Sequence, residues 1–141
     1  MAVRVLVTDG SSETRDILRC HLECIGCVVV AEAGSAAQAL PLLTTIRPEV
    51  VALGADAAPS NTLDLVRLIK REAPQTSVLL IGREISEQDV QVFRQAGVLG
   101  CFSAPLEFAN LWRTLSMAYP ELMTGAFADM ISAAAARATR A

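Results

Sequence analysis

No stretch of this sequence approaches the ~20 consecutive apolar residues that a membrane span requires. Its opening, MAVRVLVTDG, is too short and too interrupted by charge for a secretory signal. Basic residues are not in excess. The 12 Lys and Arg against 15 Asp and Glu leave a formal charge of -3, so the electrostatic footprint of a nucleic-acid binder is missing. Internal repeats and low-complexity linkers are also absent, apart from an alanine-rich end at 133–138. These absences set a cytoplasmic location as the expectation, with the four cysteines as thiols rather than disulfides. What is present is a chain of 141 residues, 52% hydrophobic, which is enough for one compact core.

Along the chain, short apolar runs alternate with amphipathic stretches. Val3–Val7 reads as a strand ending at Thr8-Asp9-Gly10. Ser11 or Ser12 caps a helix to about Glu23, with Glu13 and Asp16 near the positive end of its dipole. Ile17, Leu18, Leu22 and Ile25 form its expected buried stripe, and Gly26 ends it. A second strand, Val28–Ala31, leads to a helix opened by Gly34-Ser35 and lasting to Ile46, in which Pro41 predicts a kink or a delayed start. Val50–Leu53 is the third strand, followed by the loop GADAAPSNT and a helix over Leu63–Arg71. The fourth strand, Val78–Ile81, is continuously apolar, as a central parallel strand is, and Ser86 caps a helix to Ala96. Cys101-Phe102 is a short fifth strand and Leu106–Tyr119 a fifth helix. Five such alternations predict an α/β fold, a parallel sheet with helices on both faces.

Three features stand apart from this pattern. Cysteines 20, 24 and 27 in CHLECIGC have the spacing of a cluster-binding motif with His21 beside them, but Cys20 and Cys24 fall one turn apart on a helix. A structural role is therefore the expectation, with Cys20 and Cys24 partly exposed, and no metal or cofactor is assigned. The fifth helix carries Phe108, Trp112 and Tyr119 beside its core stripe. After Pro120, residues Leu122, Met123, Ala126, Phe127, Met130 and Ile131 fall on one helical stripe. Such a stripe either folds back on its own domain or packs against another chain. Homodimerisation through residues 106–131, with Phe108, Trp112, Leu122, Phe127 and Met130 as the association surface, is the favoured expectation.

The segments VRVLVTDGSSETRDIL, VVVAEAGSAAQAL, RPEVVAL and QAGVLGCF, with Pro105 after the fifth strand, resemble the receiver domain of bacterial two-component response regulators over Val3–Tyr119. Two of them, VVVAEAG and RPEVVAL, look most like receivers that precede a helix-turn-helix output domain. The resemblance implies a flavodoxin-like, doubly wound five-stranded parallel sheet in the order 2-1-3-4-5, over residues 1–120. An extra C-terminal helix at 121–141 follows. It also implies a phosphorylation pocket with five chemical positions. An acidic pair and an acceptor aspartate hold Mg²⁺, while a Thr or Ser and a Lys stabilise the phosphoryl oxygens.

In this sequence Asp9 matches the first acid, Gly10 stands for the second, Gly54 for the acceptor, Gly82 for the hydroxyl residue and Ala104 for the lysine. Cys101 occupies the aromatic switch position. With four of the five positions lost, an enzyme-like site is not expected. Arg83, at the carboxyl end of the fourth strand, is a candidate plug for the vacated pocket, pairing with Asp9 or Asp56; the alternative is that it points into water. Asp56 is also considered as a displaced acceptor, although a solvated loop aspartate is the better reading. The expected function is a phosphorylation-independent pseudo-receiver that binds a protein partner: an output domain, a kinase or another signalling protein. Neither nucleic acid nor membrane is expected as a direct partner. The alternatives are the regulatory domain of a helix-turn-helix transcription regulator and, less favoured, a receiver phosphorylated at Asp56.

Overall fold

Serine and glycine punctuation sets the helix ends, and the computed structural model describes the outcome for residues 2–54, 59–103, 106–124 and 133. The elements are β1 (Val3–Thr8), α1 (Ser12–Ile25), β2 (Cys27–Ala33), α2 (Ala36–Ile46), β3 (Val50–Gly54), α3 (Pro59–Glu72), β4 (Ser77–Gly82), α4 (Glu87–Gln95), β5 (Val98–Ser103) and α5 (Phe108–Ala118). A 3-10 turn at Pro120–Thr124 follows. Ser11, Ser35 and Ser86 cap α1, α2 and α4, their hydroxyls accepting from the backbone N–H of Thr14, Gln38 and Asp89. Gly26 closes α1 in the left-handed region at φ 113°, donating to the carbonyls of Leu22 and Glu23.

The strands form one parallel sheet in the order β2-β1-β3-β4-β5, the flavodoxin-like order expected. Alternating side chains along β1 feed two cores. Val3, Val5 and Val7 join Leu18 and Leu22 of α1 and Leu111 and Leu115 of α5 on one face. Leu6 joins Leu43 of α2 and Val66 and Ile69 of α3 on the other, where Phe93 of α4 also packs. With both faces covered, β1, β3 and β4 are apolar almost throughout, as their continuous runs predict.

Local readings differ at four places. Ile17 is 56% exposed, because Leu18, Leu22 and Ile25 follow the helical period and Ile17 falls on their outer flank. Pro41 does not delay α2, which starts at Ala36 and runs through the proline to Ile46; the hydroxyls of Thr44 and Thr45 donate to the Pro41 carbonyl. β5 spans six residues because Gly100 lets the Phe102 ring and the Thr114 methyl fill the space a side chain would need. Finally, Pro120 opens the 3-10 turn, and this turn lays Leu122 on the α1/α5 core at 4% exposure, 3.5 Å from where a Cβ of Gly26 would sit.

That contact gives a prediction. Leu122→Ala should destabilise the chain by about 2–3 kcal/mol in urea unfolding, from lost burial and a residual cavity. Met123→Ala, at a neighbouring side chain that is 56% exposed, should change stability by less than about 0.5 kcal/mol.

Candidate functional site

The site lies at the carboxyl edge of the sheet, where β1, β3 and β4 end. Parallel register sets Thr8 beside Leu53 and Gly54 beside Ile81, so Asp9 emerges next to Gly54. Asp9 is fixed from three directions. Its N–H donates to the Ala33 carbonyl at 3.1 Å, its Oδ1 accepts from the Ser11 N–H at 2.8 Å, and its carbonyl accepts from Arg15 Nη1 at 2.7 Å. Arg15 in turn pairs with Glu32 of β2, at 3.3 Å, and Arg19 pairs with the same carboxylate at 2.7 Å. A Cβ added at Gly54 would lie 2.9 Å from Asp9 Cγ and 3.3 Å from its Cβ, and would clash with Oδ2. The Asp9 carboxylate therefore occupies the place from which an acceptor side chain at position 54 would grow.

A pocket of about 380 Å³ opens over this pair, and Asp9, Gly10, Glu13, Gly54 and Arg83 contribute to its walls. Arg83 is exposed on its rim. Gly82 is buried at the end of β4, opposite Ser103 of β5. Ala104 and Asp56 lie outside the described residues, so the plug pairing with Asp56 and the displaced-acceptor reading have no geometry here. The described residues do not by themselves fit the Mg²⁺ that phosphorylatable receivers hold. Among them Asp9 and Glu13 are the carboxylates lining the pocket, and one Asp9 oxygen already accepts a backbone N–H. A hard cation requires six oxygens, and its affinity follows the ligand charge.

The cysteine motif does not converge. Cys20 and Cys24 are exposed on α1, while Cys27 is buried at the start of β2, where burial pushes its thiol up to about 12. Burial also raises the Cys101 thiol, and Arg94 partly offsets the rise. Among the described residues no group of three His, Cys, Asp or Glu is arranged to hold a metal. The His21 ring instead packs on Phe108, with centroids 5.3 Å apart.

The expected association surface is corrected in part. Leu122 is buried in its own domain, and Phe108 and Trp112 are half-buried against the same core, so these three do not form a free apolar patch. His21 of α1 packs on the Phe108 ring, and Trp112 lies against the same core. Phe127 and Met130 lie outside the described residues. Sequence reasoning did not single out Thr8, whose hydroxyl is buried at the edge of the site. Its only signal was a polar residue closing an aliphatic strand.

The sequence model of the response regulator receiver domain family matches residues 5–116. No curated protein matches the chain significantly, whereas 367 solved chains do. The signal receiver domain of a DNA-binding response regulator from Colwellia psychrerythraea is 22% identical, with TM-score 0.72, covering 82% of this chain and 96% of that one. The receiver domain of the response regulator NarL from Mycobacterium tuberculosis is 23% identical at TM-score 0.73, covering 83% and 95%. The chemotaxis protein CheY4 of Vibrio cholerae is 21% identical at TM-score 0.72, covering 83% and 98%. At these identities the solved structures establish the fold. No helix among the described residues is long and apolar enough to cross a membrane.

Two predictions follow from the geometry. Gly54→Asp should lower stability by about 1–3 kcal/mol, because Asp9 must leave its rotamer and two carboxylates then meet. Millimolar Mg²⁺ should recover part of that loss in the variant and leave the unsubstituted chain unchanged, which thermal unfolding with and without the cation checks. For the thiols, Cys20 and Cys24 should react with a maleimide in the native state, while Cys27 should react only on unfolding. Because folding raises Cys27 from 9.0 to about 12, its contribution to stability is complete below pH 9 and is lost as pH rises toward 12. Alkaline unfolding curves of Cys27→Ala should therefore be flatter over that range.

Proposed function

This chain belongs to the response regulator receiver domain family, and we propose that within it the chain works without phosphoryl transfer, as a degenerate receiver that binds a protein partner in bacterial two-component signalling. Receiver domains are as a class regulatory rather than enzymatic, and they interact with kinases and output domains. The observation that supports the phosphorylation-independent reading is the packing of the Asp9 carboxylate over Gly54. The acceptor, the second acid and the hydroxyl opposite are replaced there by Gly54, Gly10 and Gly82, and near-attack geometry tolerates no such substitution. In this reading Arg83 serves as a cationic cover over Asp9 at the pocket rim. As both are partly solvated, Arg83→Ala should cost less than about 1 kcal/mol.

The partner surface in this proposal is the face built from α4, β5 and α5. Thr114 of α5 lies over Gly100 of β5, 3.0 Å from where its Cβ would be. One turn further, Met117 is 79% exposed. Self-association belongs to the same proposal and rests on sequence pattern, with Phe127 and Met130 at helical spacing; light scattering of the chain with and without residues 125–141 measures it. A second reading makes the domain the regulator of an attached output domain. It is favoured by the likeness to the receiver of a DNA-binding regulator, and sequencing the gene beyond residue 141 separates the two.

The decisive experiment is incubation with acetyl phosphate and Mg²⁺ followed by intact mass measurement. The expected result is an unchanged mass and no chemical-shift response to beryllofluoride. A stoichiometric phosphoryl adduct that disappears in Asp56→Ala would overturn the proposal and install the displaced acceptor instead.

A further inference from the structure

On the other side of Asp9 a second cavity, of about 200 Å³, lies between the start of α2 and the first turns of α3. Thr8, Asp9, Ala36, Leu53, Asn61 and Leu65 are among its walls. Thr8 is 3% exposed, and its Oγ1 is buried with no hydrogen-bond partner among the described residues. Leu6 packs into the α2/α3 core, so Thr8, two residues on, points to the same side, toward the cavity. Buried hydroxyls are nearly always paired, and this one faces an opening that Asp9, Ser35, Asn61 and Thr62 also line. The walls include the Asp9 carboxylate, and no lysine or arginine lines the cavity among the described residues.

From this conjunction we infer that the cavity is a binding site for a small single-ring molecule, neutral or cationic, with a hydrogen-bond donor directed at Thr8 and Asp9. Size and charge set the class. An apolar cavity of ~150 Å³ accommodates benzene, so this one holds a ring with one small polar substituent. An anion would meet the Asp9 carboxylate, while the Arg15 guanidinium beside Gly34 is already engaged by the Asp9 carbonyl and Glu32. A ligand hydroxyl or ammonium donates to Asp9, and a hydroxyl also accepts from Thr8. Asp9 lines both this cavity and the pocket over Gly54, so occupancy on one side is felt on the other. The site goes beyond the phosphorylation-independent reading and does not depend on it.

Titration of the full chain with phenol, benzylamine and benzoate, followed by amide chemical shifts, tests the inference. Phenol and benzylamine should give saturable shifts centred on Thr8, Gly34, Ala36 and Leu65, while benzoate should not. Thr8→Val should weaken phenol roughly tenfold, the value of one hydrogen bond, without lowering the melting temperature of the free chain. Ala36→Leu should fill the cavity and abolish both shifts. Scattered or non-saturating responses to phenol and benzylamine, benzoate binding as tightly as benzylamine, or retention of phenol affinity in both variants would each overturn the assignment.

Discussion

A parallel sheet covered on both faces confines polar chemistry to its edges, and every functional question about this chain is decided by that constraint. Val5, Leu6, Val50, Ala52, Leu79 and Leu80 are fully buried, and a charge among them would be left without solvent or partner. Polar groups therefore appear only where the strands end. At the carboxyl edge the ends of β1 and β3 are neighbours by register, so the volume of one residue there limits the conformation of the other. Glycine at position 54 is what permits the Asp9 carboxylate to lie inward.

The inward carboxylate accepts one hydrogen bond from the Ser11 N–H, and Arg15 clamps the Asp9 backbone carbonyl. Through Glu32, that clamp is continuous with Arg19 and β2. The edge is thus organised by side chains of α1 and β2. Charge-assisted bonds of this kind are short and directional, and they fix a single arrangement of the β1–α1 turn.

The fold was legible because its signals were redundant. Strand runs, serine caps and Gly26 all pointed to the same alternation, and the resemblance carried by the four motif segments and Pro105 implied the sheet order. Readings that hung on one residue fared less well. The fifth strand reads as Cys101-Phe102 alone, because a glycine in a strand has no pattern until the Phe102 ring and Thr114 are seen filling its space. Pro41 looked disruptive, yet threonine hydroxyls cluster around its carbonyl and the helix continues. Substitutions in the pocket were legible one by one, since each position has a chemical role. Their mutual packing was not, because the approach of Asp9 to Gly54 depends on register and on one side-chain rotamer. Nor does an apolar stripe say which surface it covers. The stripe after Pro120 begins on the domain's own core because the 3-10 turn redirects it.

The phenol oxygen of Tyr119 donates to the Glu49 carbonyl at 3.0 Å and lies 2.9 Å from the Ser77 hydroxyl. These partners stand at the amino ends of β3 and β4, so the last residue before Pro120 is moored to the edge opposite the pocket. The strands between are five or six residues long, a separation of roughly 17–20 Å. A signal passing between the pocket and the Tyr119 mooring is therefore carried along the sheet or along α5 as a rigid lever.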